Sequence, residues 1–269
     1  MLNKSETTLT QYPVGKAGTY TLPNSVTNIG VYAFEGCAKM ASVTMPESVL
    51  RIGFYAFYSC ATLTNITIGN SVISIGMNAF EFCTSLTSVT VGTNVTNIGA
   101  SAFESCTNLS FVTIPKSVIS IGPQAFYQCS ILTGIEVDAL NPVYSSRDGV
   151  LLNKGETRLI KCPEGKAGNY TIPSTVTTID GLAFVLCTSL TAIEVDALNP
   201  VYSGVGGVLL DKSLTTLIKC PGGKAGSYSV PNSVTNIGSG AFSVCISLTY
   251  VTIPESVTSI GSGAFANCT

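Results

Sequence analysis

The sequence predicts a mainly β solenoid with short helical turns, built as one domain of about ten stacked coils. Three observations carry this. The first is a 23-residue frame: residues 93–115, TNVTNIGASAFESCTNLSFVTIP, directly follow residues 70–92, NSVISIGMNAFEFCTSLTSVTVG. The same frame fills 24–46, 47–69 and 116–138. Self-similarity at a fixed period of about 20–50 residues marks a solenoid, propeller or array. The second is that Cys37, Cys60, Cys83, Cys106 and Cys129 lie 23 apart, as do Cys245 and Cys268, with Cys187 in the same place. The third is composition. An apolar content of 45% can supply a continuous core, while only 10% of residues are charged, which leaves Ser, Thr and Asn to cover the surface.

Within a coil, Leu86, Val89 and Val91 alternate with Thr87, Ser88 and Thr90. This period of two predicts a strand with apolar side chains inward and hydroxyls outward. Gly92, or Pro46 and Pro115 elsewhere, ends it, because proline cannot donate to a ladder. A second apolar alternation, from Val95 to Ile98, closes at Gly99, read here as a position that needs positive φ. Asp180 takes that place in one coil, and Asp tolerates the conformation better than most residues. Then comes A-F-x-x-C, Ala102, Phe103 and Cys106, whose spacing suits one turn of 3₁₀ or α-helix with Phe and Cys buried. Stacked coils then predict a phenylalanine ladder and a ladder of buried thiols acting as small hydrophobes.

After residue 138 the period breaks, and the break recurs. Residues 139–173 and 197–231 are two 35-residue segments that open A-L-N-P-V-Y and end Y-[TS]-[IV]-P, as an ordinary coil ends. Each therefore reads as one coil lengthened by a β-hairpin, with strands at 149–153 and 157–161 in the first. Residues 1–20 match 151–170, so 1–23 is the end of a third long coil. Regular coils fill 24–138, 174–196 and 232–254, with a partial coil at 255–269. Solenoids need polar capping repeats. Neither end shows one, so the chain is expected to be a piece of a longer array.

Several function classes lose support. A net charge of −2 suggests neither nucleic acid nor an anionic membrane as partner. No apolar run approaches the roughly 18 residues of a membrane-spanning helix. There is no His and no close C-x-x-C pair, so no metal site and no cofactor are expected. No nucleophile–base pair emerges, and an enzyme is not expected.

The frame S-V-x-x-I-G-x-x-A-F-x-x-C-x-x-L-x-x-[VI]-x-[IV]-P resembles the BspA-like leucine-rich repeat, the 23-residue class also called the Treponema pallidum type. I-G-x-x-A-F-x-x-C recurs seven times, and the resemblance covers essentially the whole chain. It implies a right-handed horseshoe with a parallel concave sheet of about ten strands. It also implies a cell-surface or secreted location and a non-enzymatic adhesion role toward extracellular-matrix or cell-surface proteins or glycans.

The outward concave positions are the first candidate binding site: Thr67, Ser88, Thr90, Thr113 and Thr252, broken by the aromatics Phe111 and Tyr250. An exposed aromatic on such a face is a plausible hot spot. Glu136 and Glu194 occupy the same frame position in later coils, with Asp138 and Asp196 beside them. Calcium coordination or solvated strand ends would each explain these carboxylates, and solvation is preferred. The second candidate is basic. Ten of the 13 Lys and Arg lie in the long coils, where Lys166 and Lys224 share one frame position and Lys161 and Lys219 another. They are expected on the surface, either binding an anionic patch or keeping protruding hairpins soluble. The alternative to a binding module is a structural repeat that self-associates through open solenoid ends or hairpins.

Overall fold

The computed structural model describes residues 1–268 as an all-β chain with no helix among them. It forms two compact units, Met1–Ser146 and the chain from Arg147 onward. In each, coils stack through parallel strands, as a repeat solenoid requires.

In the first unit, the two-residue strands Asn28–Ile29, Arg51–Ile52, Ser74–Ile75, Asn97–Ile98 and Ser120–Ile121 join Thr8–Leu9 in a six-stranded parallel sheet. The L-x-x-V-x-[IV] strands form a second line. Asn65–Thr67, Ser88–Thr90, Phe111–Ile114 and Gly134–Val137 make one four-stranded sheet, and Gly18–Thr21 pairs with Met40–Thr44. The expected single sheet of ten strands is thus divided. Between its two parts in this unit the ladder loosens, with Thr64 N 3.5 Å from Ala41 O. In the second unit, Gly168–Ile172 pairs with Leu190–Val195, and Gly226–Ser229 with Leu248–Thr252. There the hairpin of the long coil lies against Leu190–Val195, and Ile193 N donates to Gly207 O at 2.9 Å.

The expected helical turn at A-F-x-x-C is absent. Isolated turns replace it, such as Cys37 N to Phe34 O at 3.1 Å. Two residues per coil adopt positive φ and interrupt any helix: Tyr32, Tyr55, Asn78, Ser101 and Gln124 before the Ala-Phe pair, and Gly36, Ser59, Phe82, Ser105 and Gln128 before the Cys. Alternate N–H groups of this stretch point along the solenoid, while Ala33 N and Glu35 N turn back to Gly30 O and Tyr32 O. Tyr32 N, Phe34 N and Gly36 N donate to Phe54 O, Ala56 O and Tyr58 O of the next coil at 3.1, 2.7 and 2.8 Å. These donors are committed between coils, so none remains for an i→i−4 ladder.

Gly99 does not have positive φ, contrary to the sequence reading. It is glycine because the coils touch there: a Cβ would lie 2.5 Å from Met77 N and 2.6 Å from Gly76 C. Gly76 and Gly122 meet the same crowding from the preceding coil. Asp180 follows a hairpin strand instead. At Gly238, the matching place after the next hairpin, the nearest atom to a Cβ is Leu217 O at 3.1 Å. The Asp180 carboxylate then accepts from Nε and Nη2 of Arg158, at 2.6 and 2.9 Å.

The phenylalanine ladder is present. Phe34, Phe57, Phe80, Phe103 and Phe126 stack with centroids 4.7, 4.9, 5.2 and 5.7 Å apart and near-parallel rings. The cysteines are free and buried except Cys268. They also donate: Cys60, Cys83, Cys106 and Cys129 Sγ reach the Phe carbonyl oxygens of earlier coils at 3.0–3.2 Å. Burial pushes the Cys83 and Cys106 thiols up, which keeps them protonated as donors.

The long coils are core elements and do not protrude. Val150, Leu151, Leu152 and Leu159 are buried, as are Val208, Leu209, Leu210 and Leu217. The expected hairpin forms as Val150–Asn153 antiparallel to Arg158–Lys161, with a bulge between Leu151 and Leu152. In the second long coil a further strand, Tyr202–Val205, pairs antiparallel with Val208–Asp211. The hairpin turn is fixed by one side chain. Asp211 Oδ1 accepts from Thr215 N and Thr216 N, both at 2.8 Å, and Asn3 and Asn153 accept from the equivalent N–H groups. The A-L-N-P segment supplies a second polar anchor. Asn199, fully buried, donates to Pro173 O and Val176 O and accepts from Val201 N and Tyr202 N, all at 2.8–2.9 Å. Asn141 makes the same four bonds in the first unit.

Two outcomes are expected. Asn199→Ala removes the partner of Val176 O, Val201 N and Tyr202 N, while Pro173 O keeps Val176 N, and should cost on the order of 3 kcal/mol or more, read as a lowered denaturation midpoint. Asp211 is desolvated, which alone would raise its pKa, but hydrogen bonds from Thr216, Ser213 and Thr215 prevail and hold it below the usual carboxylate range. A carboxyl depressed in the folded state stabilises above its unfolded pKa of about 3.9 and loses that contribution as pH falls through its folded pKa. Asp211→Asn, which copies Asn153, should therefore fold at neutral pH and lose part of the stability decline below pH ~4 in urea titrations.

Candidate functional site

The four-stranded sheet of the first unit gathers most of the outward positions. Its register aligns Thr67 with Thr90, and Thr113 with Glu136, in one row. The adjacent row runs Asn65, Ser88, Phe111 and Gly134. Thr67, Ser88, Thr90 and Thr113 are exposed, and their inward neighbours Ile66, Val89 and Val112 are buried. Phe111 is 45% exposed. Its two cross-strand neighbours are Ser88 and Gly134, so no large side chain covers the ring.

Tyr250 and Thr252 lie in the second unit, on the pair Gly226–Ser229 with Leu248–Thr252. Tyr250 is 65% exposed and faces only Ser227 across the pair.

The carboxylates are engaged locally. Glu136 Oε2 accepts from the Ser146 hydroxyl at 3.0 Å. Glu194 is half-buried, with the hairpin backbone at Gly204 close beside it. Asp138 and Asp196 cap turns, accepting from Leu140 N at 2.8 Å and Leu198 N at 2.9 Å. Among the described residues, no group of three His, Cys, Asp or Glu is arranged to hold a metal ion.

The four lysines do not form an exposed basic patch. Lys161 Nζ binds the buried Glu164 carboxylate at 2.9 Å. Lys219 is buried and donates to Gly240 O and Ser243 O at 2.9 and 3.2 Å. Lys166 and Lys224 reach back to hairpin carbonyls, Asp148 O at 2.6 Å and Gly206 O at 2.7 Å, and lie over the rings of Tyr170 and Tyr228. Each ammonium fastens its long coil, because the hairpin presents carbonyls that the ladders leave unpaired.

Sequence reasoning missed a second exposed surface in the first unit. Tyr32 stacks on Tyr55 at 4.9 Å, Tyr55 meets Tyr58 at 5.6 Å, and Tyr58 meets Phe82 at 5.5 Å. Val31, Phe54 and Met77 are exposed in successive coils of the same turn region. The signal lies in the variable letters of I-G-x-x-A-F-x-x-C.

The model of the BspA type leucine rich repeat region matches residues 15–133, 164–202 and 223–269 in six copies. The chain belongs to this family. A leucine rich cell surface protein from Faecalibacterium prausnitzii is 31% identical, with a TM-score of 0.68 over 100% of this chain and 72% of that one. The pneumococcal vaccine antigen PcpA, at 21% identity and a TM-score of 0.66 over 97% of this chain and 64% of that one, shares the fold. No protein among those curated for function matches the chain. Among the described residues, no helix of this BspA-type chain is long and apolar enough to cross a membrane.

Proposed function

We propose that this BspA-type repeat is a non-enzymatic binding module of a cell-surface or secreted protein. Its threonine face in the first unit engages a protein or glycan partner. The observation that carries this is Phe111: a large apolar ring, 45% exposed, in a row of Asn65, Ser88 and Gly134. An aromatic anchor within a preformed polar surface suits a hot spot, since the sheet is already ordered and little is lost in fixing it. The surface location is supported by the F. prausnitzii relative, which is described as a cell surface protein. The partner class, an extracellular-matrix or cell-surface protein or glycan, follows from the adhesion role associated with the family.

The second reading is a structural repeat that assembles with copies of itself. The aromatic run Tyr32, Tyr55, Tyr58 and Phe82, exposed at Tyr32 and Phe82, half-buried between them and flanked by the exposed Phe54 and Met77, favours it, because apolar patches on a surface mark association sites.

Surface plasmon resonance against immobilised matrix proteins and a glycan array tests the first reading. Phe111→Ala, and separately Thr90→Arg with Thr113→Arg, should weaken the bound partner at least about tenfold, the equivalent of 1.4 kcal/mol. Unchanged binding by both variants would show the threonine face to be the wrong surface. Wild-type binding no stronger than that of a denatured control across the panel counts against a binding role. A mass by light scattering that grows with concentration would support assembly instead.

A further inference from the structure

The two complete long coils contain an internal comparison. In the first, K-C-P-E at 161–164 sets the Lys161 ammonium on the Glu164 carboxylate, at 2.9 Å and with side-chain exposures of 12% and 1%. In the second, the same stretch reads K-C-P-G at 219–222, and Gly222 stands where Glu164 stands. The surroundings enforce the change. A Cβ at Gly222 would lie 3.0 Å from both Cys187 O and Val244 O, so flanking backbone crowds any side chain there.

Lys219 is nevertheless buried, at 9% exposure. Its ammonium donates to Gly240 O and Ser243 O, which uses two of its three N–H bonds on neutral acceptors. Among the described residues, no carboxylate lies within ion-pair distance of it. Asp180 lines the cavity that Lys219 also lines, and its two oxygens are held by Arg158 Nε and Nη2. Burial pushes the Lys219 pKa down, as expected of an ammonium out of water without an opposite charge.

Lys219 also lines a cavity of about 440 Å³ in the second unit. Ile179, Phe184, Leu209 and Ile218 supply apolar wall, and Tyr202 a polar edge. This volume falls in the usual range of small-ligand sites, about 300–1,000 Å³, which combine apolar lining with few polar groups. We propose that the cavity binds an amphipathic monocarboxylate of medium chain length. Its carboxylate supplies Lys219, from the cavity side, with the negative charge that Glu164 supplies to Lys161, and its alkyl chain lies against Ile179, Phe184, Leu209 and Ile218. One ammonium matches one negative charge. A phosphate dianion would leave a surplus charge facing the Gly240 and Ser243 carbonyls, and an apolar molecule would leave the ammonium uncompensated.

Calorimetric titration of the whole chain with sodium octanoate, octan-1-ol and inorganic phosphate tests this. Octanoate should bind saturably at one site, at least tenfold tighter than octan-1-ol, and phosphate should not bind. Lys219→Met should lose at least tenfold in octanoate affinity and keep octan-1-ol, and Ile179→Trp, which fills the cavity, should lose both. As a measurement on wild type, the Lys219 side-chain resonance in ¹³C-methylated protein should shift on addition of octanoate and stay put with octan-1-ol. No saturable octanoate binding, or a Lys219 resonance unmoved by it, overturns the proposal. So does equal affinity in Lys219→Met that retains the wild-type circular dichroism.

Discussion

The rise between adjacent coils is the constraint on which the rest depends. Parallel strands sit about 4.8 Å apart, and every inward feature of a regular coil must fit that spacing. The phenylalanine rings fit because flat rings stacked at 4.7–5.7 Å fill it. The cysteines fit because a small thiol can pack inward while donating to the Phe carbonyl of an earlier coil. The glycine after each Ile fits for the opposite reason: at Gly76, Gly99 and Gly122 the backbones themselves touch, and a side chain would prevent it. Holding that spacing on the turn side also diverts N–H groups from helix formation into bonds between coils.

The long coils show what happens when the frame is lengthened. The 12 extra residues in 139–173 relative to a 23-residue coil bring apolar side chains that are buried at once, Val150, Leu152 and Leu159 among them. The hairpin turns and carbonyls this introduces then need partners. Asn141 and Asn199 each satisfy four backbone groups, Asn153 and Asp211 hold the turns, and Lys166 and Lys224 reach the hairpin carbonyls. The polar letters of these segments mostly serve the fold. The polar letters of the regular strands, Thr67, Ser88, Thr90 and Thr113, are turned to solvent.

This division explains what was legible in the sequence. The two ladders, the hairpin and the outward row around Phe111 could be read, because a period of 23 with an inner period of two fixes which letters face inward. The role of Gly99 could not, since glycine serves both positive φ and close approach, and only the neighbouring coil decides between them. Tyr32, Tyr55, Asn78, Ser101 and Gln124 carry the positive φ, and no residue type among them except Asn announces it. The lysines were assigned to the surface because charge is seldom buried. Yet Lys161 had a carboxylate three residues away in Glu164, and the Gly222 of its repeat partner marked the difference.

The claim that coil spacing governs the fold meets its most direct test at two glycines of the first unit. A Cβ at Gly99 would lie 2.5 Å from the Met77 nitrogen, whereas a Cβ at Gly69, where other coils carry Pro46 or Pro115, meets nothing within 4 Å. Urea denaturation of Gly99→Ala and Gly69→Ala measures the contrast. The expected result is a loss of on the order of 2 kcal/mol or more for Gly99→Ala and a change within about 0.5 kcal/mol for Gly69→Ala. Equal stabilities of the two variants would contradict the claim.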